Sequence, residues 1–219
     1  MNGDEADLER RLHVDRTRNL LMDGRGRSFR PDTRCWSEAG SGHDGECVDA
    51  VAAVRWLQRD SGSPLRWPVA VVGTRAATDA QRSAAEVVGM GLASAGLTVL
   101  CGGREGVMEA VCRGVARAGG VSVGLLPDGD VSGANDFVTI PLATGIGVAR
   151  NALIARAAFA MIAVGGGNGT LSEIAFALQF GRPVFTLGGA PEPDGVRRCT
   201  DAADAVEGIC LQILGLAPA

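Results

Sequence analysis

The chain has 219 residues, 46% hydrophobic and 21% charged, with a formal net charge of −4. That suits one packed domain plus an appendage. It argues against a basic nucleic-acid surface, and no apolar run nears the ~20 residues of a membrane span. The acidic, polar residues 1–11 do not resemble a secretory leader, so the expected compartment is the cytoplasm, with neither nucleic acid nor membrane as partner.

All 21 basic residues are arginines, and tyrosine is absent. Without lysine there is no Schiff-base enzyme and no standard P-loop. His13 and His43 both precede the predicted core, which excludes a Ser-His-Asp triad or a histidine-built metal site inside it. Six scattered cysteines form no CxxC pair, so they read as free thiols and no metal site is expected.

Residues 1–66 read as an appendage. Residues 20–29 suggest a hairpin turning on Asp23-Gly24, a favoured two-residue turn. Residues 37–45 read as a linker, and residues 46–60 as a helix with Val48, Val51 and Ala52 at helical spacing, ended at Ser61-Gly62-Ser63-Pro64. From residue 67 the pattern changes. Residues 68–73 are a continuous apolar run stopping at glycine, as in a strand buried on both faces.

A helix over 78–95 follows, with Thr78 as its cap, then a strand over 97–101. A helix over 104–118 closes at Gly119-Gly120 and leads to a strand over 121–126. Beyond a Gly/Asp-rich loop (127–135) come a short strand (137–140), a helix (147–158) and a strand (159–164). The chain closes with a helix (170–180), a strand (183–187) and a helix (201–216). Strands alternating with helices predict an α/β class: a Rossmann-like, doubly wound parallel sheet with helices on both faces over residues 67–219.

Three glycine-rich turns each follow a predicted strand: Gly73-Thr74-Arg75, Gly102-Gly103-Arg104-Glu105-Gly106, and residues 165–170. In a doubly wound sheet all three lie at the carboxyl edge, where ligands bind. Backbone N–H groups and a helix start can close there on an anion. Gly73, Thr74, Arg75, Gly102 and Gly103 are therefore candidates for phosphate binding, together with Gly166, Gly167, Asn168, Gly169 and Thr170. No turn matches GxGxxG, which argues against a dehydrogenase. Thr170-x-x-Glu173 also reads as a helix capping box. Glu105 and Glu109, four apart on the predicted helix, read as a carboxylate pair or as solvated charge. Asp128, Asp130 and Asp136 read as loop charge rather than a metal cage.

Gly165-Gly166-Gly167-Asn168-Gly169-Thr170-Leu171-Ser172-Glu173 resembles the PGGxGTxxE signature of the Lonely Guy (LOG) family and its relatives. Residues 101–108 resemble that family's GGG-x-x-G-L-M turn, and Arg150 sits where it carries the arginine of MHERK. The resemblance covers about residues 67–190. It implies a nucleotide-type ligand and, in the catalytic branch, hydrolysis of a nucleoside 5′-monophosphate to free base and ribose 5-phosphate. Glu173 would then be the catalytic carboxylate and Arg150 its charged partner.

Two departures, Gly165 for the leading proline and Gly147-Val148-Ala149-Arg150-Asn151 for the MHERK stretch, resemble the molybdenum-cofactor carrier branch. That branch implies a binding protein, carrier or sensor, for a phosphorylated nucleotide or molybdenum-cofactor-type pterin, with no further cofactor required. The family also implies a homo-oligomer. A third reading is an interaction scaffold acting through residues 1–66.

Overall fold

The computed structural model describes residues 8, 11–38 and 45–217; most of the expected linker lies outside them. The chain divides into two compact units, residues 1–65 with 207–219, and residues 66–206.

The first unit is an antiparallel sheet of five strands, β1 (Leu12–Asp15), β2 (Leu20–Asp23), β3 (Arg27–Arg30), β4 (Cys35–Glu38) and β5 (Glu46–Val48), in the order β4-β3-β2-β1-β5. Helix α1 (Ala50–Arg59) follows, capped by Asp49, whose carboxylate accepts from Ala52 N. The buried residues of this unit include Leu12, Val14, Leu21, Phe29, Val54, Trp56 and Leu57.

The hairpin over residues 20–29 is present, but its turn is not the two-residue Asp-Gly type. Gly26 N donates to Asp23 O at 2.9 Å, and Gly26, at φ 79°, is the glycine that turns left-handed. The fully buried Asp23 organises this turn, accepting from Arg25 N, Arg27 N and Arg27 Nε. Residues 46–48 are strand, not helix. Pairing with β1 (Val14 opposite Glu46) overrides a local pattern that three residues carry only weakly.

The second unit is a parallel seven-stranded sheet. Its strands are β6 (Val69–Gly73), β7 (Val99–Cys101), β8 (Ser122–Leu126), β9 (Ile140–Ala143), β10 (Met161–Val164), β11 (Val184–Leu187) and β12 (Arg197–Arg198), in the order β12-β11-β10-β6-β7-β8-β9. Its helices are α2 (Asp79–Ser94), α3 (Val107–Arg117), α4 (Arg150–Ala157) and α5 (Asn168–Gln179). Helix α6 (Ala202–Ile213) runs across the division between the units. Helix α2 packs on α3, and α4 on α5; right-handed crossovers put the two pairs on opposite faces. The expected α/β, doubly wound architecture is thus the one observed.

The central strands are buried on both faces. Ala70, Val72, Leu100, Met161, Ala163 and Val184 pack with Ile154, Ala155, Ile174 and Ala177 of α4 and α5. The short strand expected over 137–140 lies later, at β9, because Phe137 and Val138 are in the turn that Asn135 organises. Residues 147–149 form a 3₁₀ turn before α4.

Strand order reverses between β6 and β10, where Gly73 lies opposite Val164. There Gly73 is required by space: a Cβ would fall 2.3 Å from the Val164 carbonyl oxygen. Among the described residues no helix is long and apolar enough to cross a membrane.

Candidate functional site

The three glycine turns follow β6, β7 and β10 at one edge of the sheet, around the switch point. They are stitched together by backbone. Val107 N donates to Thr74 O at 3.1 Å, tying the second turn to the first. Gly106, at φ 73°, brings its Cα against the Thr74 and Arg75 carbonyls, where a Cβ would lie 2.4 and 2.3 Å from the two oxygens. On the other side Gln81 joins the edge. It completes the capping box of α2 with Thr78, and its Nε2 donates to Gly188 O at 2.8 Å.

A cleft of about 260 Å³ lies at this edge. Of the candidate residues it is lined by Gly73, Thr74, Arg75, Gly102, Arg150, Gly167, Gly169, Thr170 and Glu173. Gly103, Gly166 and Asn168 do not line it. Gly103 (φ 72°) lets the second turn abut Gly124 of β8, and its carbonyl accepts from Asn135 N and Nδ2. Gly166 (φ 132°) is backed by the Thr170 side chain. Val72, Met108, Val148 and Asn151 line the cleft and were not anticipated.

Helix α5 starts two residues earlier than expected, with Gly167 as its N-cap and no side chain capping it. Thr170 and Glu173 are therefore inside the helix, and the Thr170-x-x-Glu173 capping box does not form. The consequence is chemical: the first-turn amides of α5 face the cleft edge without a capping side chain, as an anion-binding helix start requires. Asn151 orders this turn, donating to Gly169 O at 3.4 Å and to Ser172 Oγ at 3.0 Å.

Freed from capping, Glu173 turns into the cleft. Its Oε1 accepts from Arg150 Nη1 at 3.1 Å, with the two side chains 8% and 9% exposed. Burial pushes the Glu173 carboxyl up to about 7, against a partial downward pull from Arg150. Burial also holds the Arg150 guanidinium below its usual range. Arg150 lies on Gly102, where any Cβ would meet Nη2 at 2.4 Å and Met108 Sδ at 2.6 Å; this glycine makes room for the cation. Arg150 Nε is buried and has no acceptor among the described residues.

Arg75 stands at the mouth, 3.9 Å from Glu105 and more than half exposed. Arg104 is paired instead with Asp128. Glu105 and Glu109 do not form a carboxylate pair. Glu105 precedes α3 and faces Arg75, while Glu109 faces Arg113 at 3.8 Å. Beneath Gly102 the thiols of Cys101 and Cys112 lie 3.5 Å apart, both buried and free.

Gly165 takes φ 58°, a conformation closed to proline, and Gln81 fills the space beside it. The missing proline of the signature is thus part of a different local backbone.

Residues 66–209 match the SLOG cluster4 family. A protein of Archaeoglobus fulgidus is 38% identical over 139 residues, 63% of this chain and 91% of that one. Among solved structures, the molybdenum cofactor binding protein of the phototrophic bacterium Rippkaea orientalis is 32% identical with a TM-score of 0.64, covering 68% of this chain and 99% of that one. A Moco carrier protein of Chlamydomonas reinhardtii is 33% identical with a TM-score of 0.61, over 68% and 99% of the two chains. The chain belongs to the SLOG cluster4 family, in agreement with the resemblance read from its glycine turns.

Proposed function

We propose that this SLOG-family protein binds a phosphorylated, nucleotide-like ligand at the carboxyl edge of its parallel sheet, as a carrier or sensor. The observation that carries this reading is the arrangement around Arg150: a buried guanidinium with an unpaired Nε, beside the uncapped start of α5 and the Gly73 and Gly102 turns. The anion sits on the α5 amides and Arg150, with Arg75 at the mouth, while Val72, Met108 and Val148 offer apolar surface to a ring. A molybdenum-cofactor-type pterin phosphate fits this chemistry, and the likeness to proteins described as binding that cofactor supports it. Isothermal calorimetry with phosphorylated pterins and nucleoside 5′-monophosphates tests it. Saturable binding that Arg150→Gln weakens is expected; no heat with any of them at millimolar ligand refutes it.

A second reading, hydrolysis of a nucleoside 5′-monophosphate, is favoured by one observation: Glu173 points into the cleft against Arg150 rather than capping its helix. An ionised carboxylate there would stabilise an oxocarbenium-like state and orient water. Chromatography for free base, with Glu173→Ala alongside, separates the two. Base release abolished by the substitution makes the protein a hydrolase, and binding without release makes it a carrier.

We also propose that the protein self-associates. Val148, on the cleft wall, is 85% exposed, and Ile146, Leu153 and Leu171, within a few positions in sequence of the cleft-lining Val148, Arg150 and Thr170, are 40–48% exposed. Apolar surface concentrated at the rim of a site suits a second copy of the chain.

A further inference from the structure

Cys101 closes β7 and is followed by Gly102, the glycine on which Arg150 lies. Cys112 stands on α3, and both residues are fully buried. Their sulfurs are 3.5 Å apart, within hydrogen-bond reach. The proposed ligand chemistry uses neither.

Free cysteines are ordinarily buried as small apolar groups, but polar contacts converge on this pair. Gly103 N donates to Cys101 Sγ at 3.3 Å. The Cys101 S–H donates to Cys112, which lowers the Cys112 thiol below its usual range against the opposing effect of burial, and Ser122 and Asn135 add to the lowering. The same bond, together with burial, raises Cys101. One thiol is thus polarised towards thiolate while the other holds a proton beside it, the asymmetry that disulfide formation needs. By contrast, burial pushes Cys199 up to about 11 and Cys210 up to about 12.

Closing the 3.5 Å gap to a disulfide takes about 1.5 Å of approach. Both ends of that link bear on the cleft. Cys101 leads directly into Gly102, whose Cα packs against Arg150 Nη2 and Met108 Sδ. Helix α3 is tied to the first glycine turn through Val107 N and Thr74 O.

We propose that Cys101 and Cys112 are an oxidisable dithiol, which hydrogen peroxide closes to a disulfide and whose oxidation shifts the Gly102 turn and Arg150. The oxidant is small because neither sulfur reaches the surface, so access comes through local opening. The Cys112 thiolate attacks one peroxide oxygen and the O–O bond breaks. Cys112 becomes a sulfenic acid, and the hydroxide released takes the Cys101 proton to form water. The Cys101 thiolate then attacks the sulfenic sulfur. The S–S bond forms, the S–O bond breaks, and the departing hydroxide becomes water with the proton that Cys112 gave up at the start. Two thiols are oxidised and one peroxide is reduced to two waters. An effect on ligand affinity rests on the reading that Arg150 holds the anion; the disulfide and the shift of Arg150 do not.

The full chain carrying Cys35→Ser and Cys47→Ser, which removes the exposed thiols, is treated with hydrogen peroxide, then unfolded, alkylated and mapped by mass spectrometry. Peptides joined through Cys101 and Cys112 are expected, with Cys199 and Cys210 alkylated. Glutathione disulfide, too bulky for buried sulfurs, should leave Cys101 and Cys112 reduced. In ¹⁵N spectra the Arg150 Nε–H resonance, identified by its loss in Arg150→Gln, should move on oxidation and return with dithiothreitol. The proposal is overturned if Cys101 and Cys112 remain open to alkylation after peroxide, if Cys199 and Cys210 oxidise as readily, if glutathione disulfide modifies either member of the pair, or if the Arg150 resonance does not move.

Discussion

Replacing Glu173 by glutamine tests how the buried pair is balanced. A glutamate usually titrates near 4.5, and burial moves Glu173 to about 7. At about 1.4 kcal/mol per pH unit, that difference is worth about 3 kcal/mol. Its sign follows from linkage. The folded protein holds this proton more tightly than the unfolded chain does, so stability falls as pH rises from 4.5 to about 7 and is level on either side of that window.

Glutamine has no proton to lose and keeps a carbonyl to accept from Arg150 Nη1. The stability difference between wild type and Glu173→Gln should therefore move by about 3 kcal/mol across the window, with the wild type losing ground as pH rises. Urea unfolding of both proteins, from about pH 4 to about pH 8, measures it as the gap between the two curves. Parallel curves would refute the assignment. So would a gap that grows in favour of the wild type as pH rises, because then the Arg150 charge, not burial, would govern the carboxyl.

Gly106→Ala should cost more than about 2 kcal/mol, since a Cβ at φ 73° meets two backbone carbonyls that cannot rotate away; equilibrium unfolding reads the loss. Asn151→Ala releases the bonds to Gly169 O and Ser172 Oγ. It should raise the dissociation constant for a phosphorylated ligand about tenfold, measured by calorimetry, since the α5 start loses its alignment. Val148→Asp, at an 85% exposed position, should change stability by less than about 0.5 kcal/mol yet shift sedimentation towards the monomer; an unchanged distribution would remove Val148 from the interface.

The parallel sheet was legible because strands such as Val69–Val72 and Met161–Val164 are buried on both faces, and continuous apolar runs stopping at glycine announce them. The carboxyl edge was legible for the same reason: each such run ends in a glycine turn. What stayed hidden depends on long-range partners. Residues 46–48 form a strand because β1, more than thirty positions earlier, offers them an edge. The five-stranded sheet reads poorly because its strands are three or four residues long and carry charges such as Arg27, Arg30 and Glu38 within them. Met108 and Asn151 lie within the motif stretches at 101–108 and 147–151, but nothing in those stretches singles them out as site residues. Both enter the site through the space left at Gly102 and the early start of α5, features that only the folded backbone displays.

The early start of α5 is also what gives Glu173 a chemical role. If Thr170 were the N-cap, the Glu173 side chain would reach back to the helix amides, leaving Arg150 buried without its carboxylate. With Gly167 as N-cap, the amides remain open to a ligand, and the carboxylate faces the cation instead. An anion bound at Arg150 competes with Glu173 for that guanidinium. Losing part of its pairing with Arg150 raises the carboxyl further above about 7, so ligand binding should take up a proton near neutral pH. A carrier tolerates that exchange, because a neutral glutamic acid can still donate to a bound oxygen. A hydrolase does not, because stabilising an oxocarbenium-like state requires the carboxylate. Calorimetry in buffers of different ionisation enthalpy therefore bears on both readings: proton uptake on binding favours retention of the ligand, and binding with no proton exchange favours its cleavage.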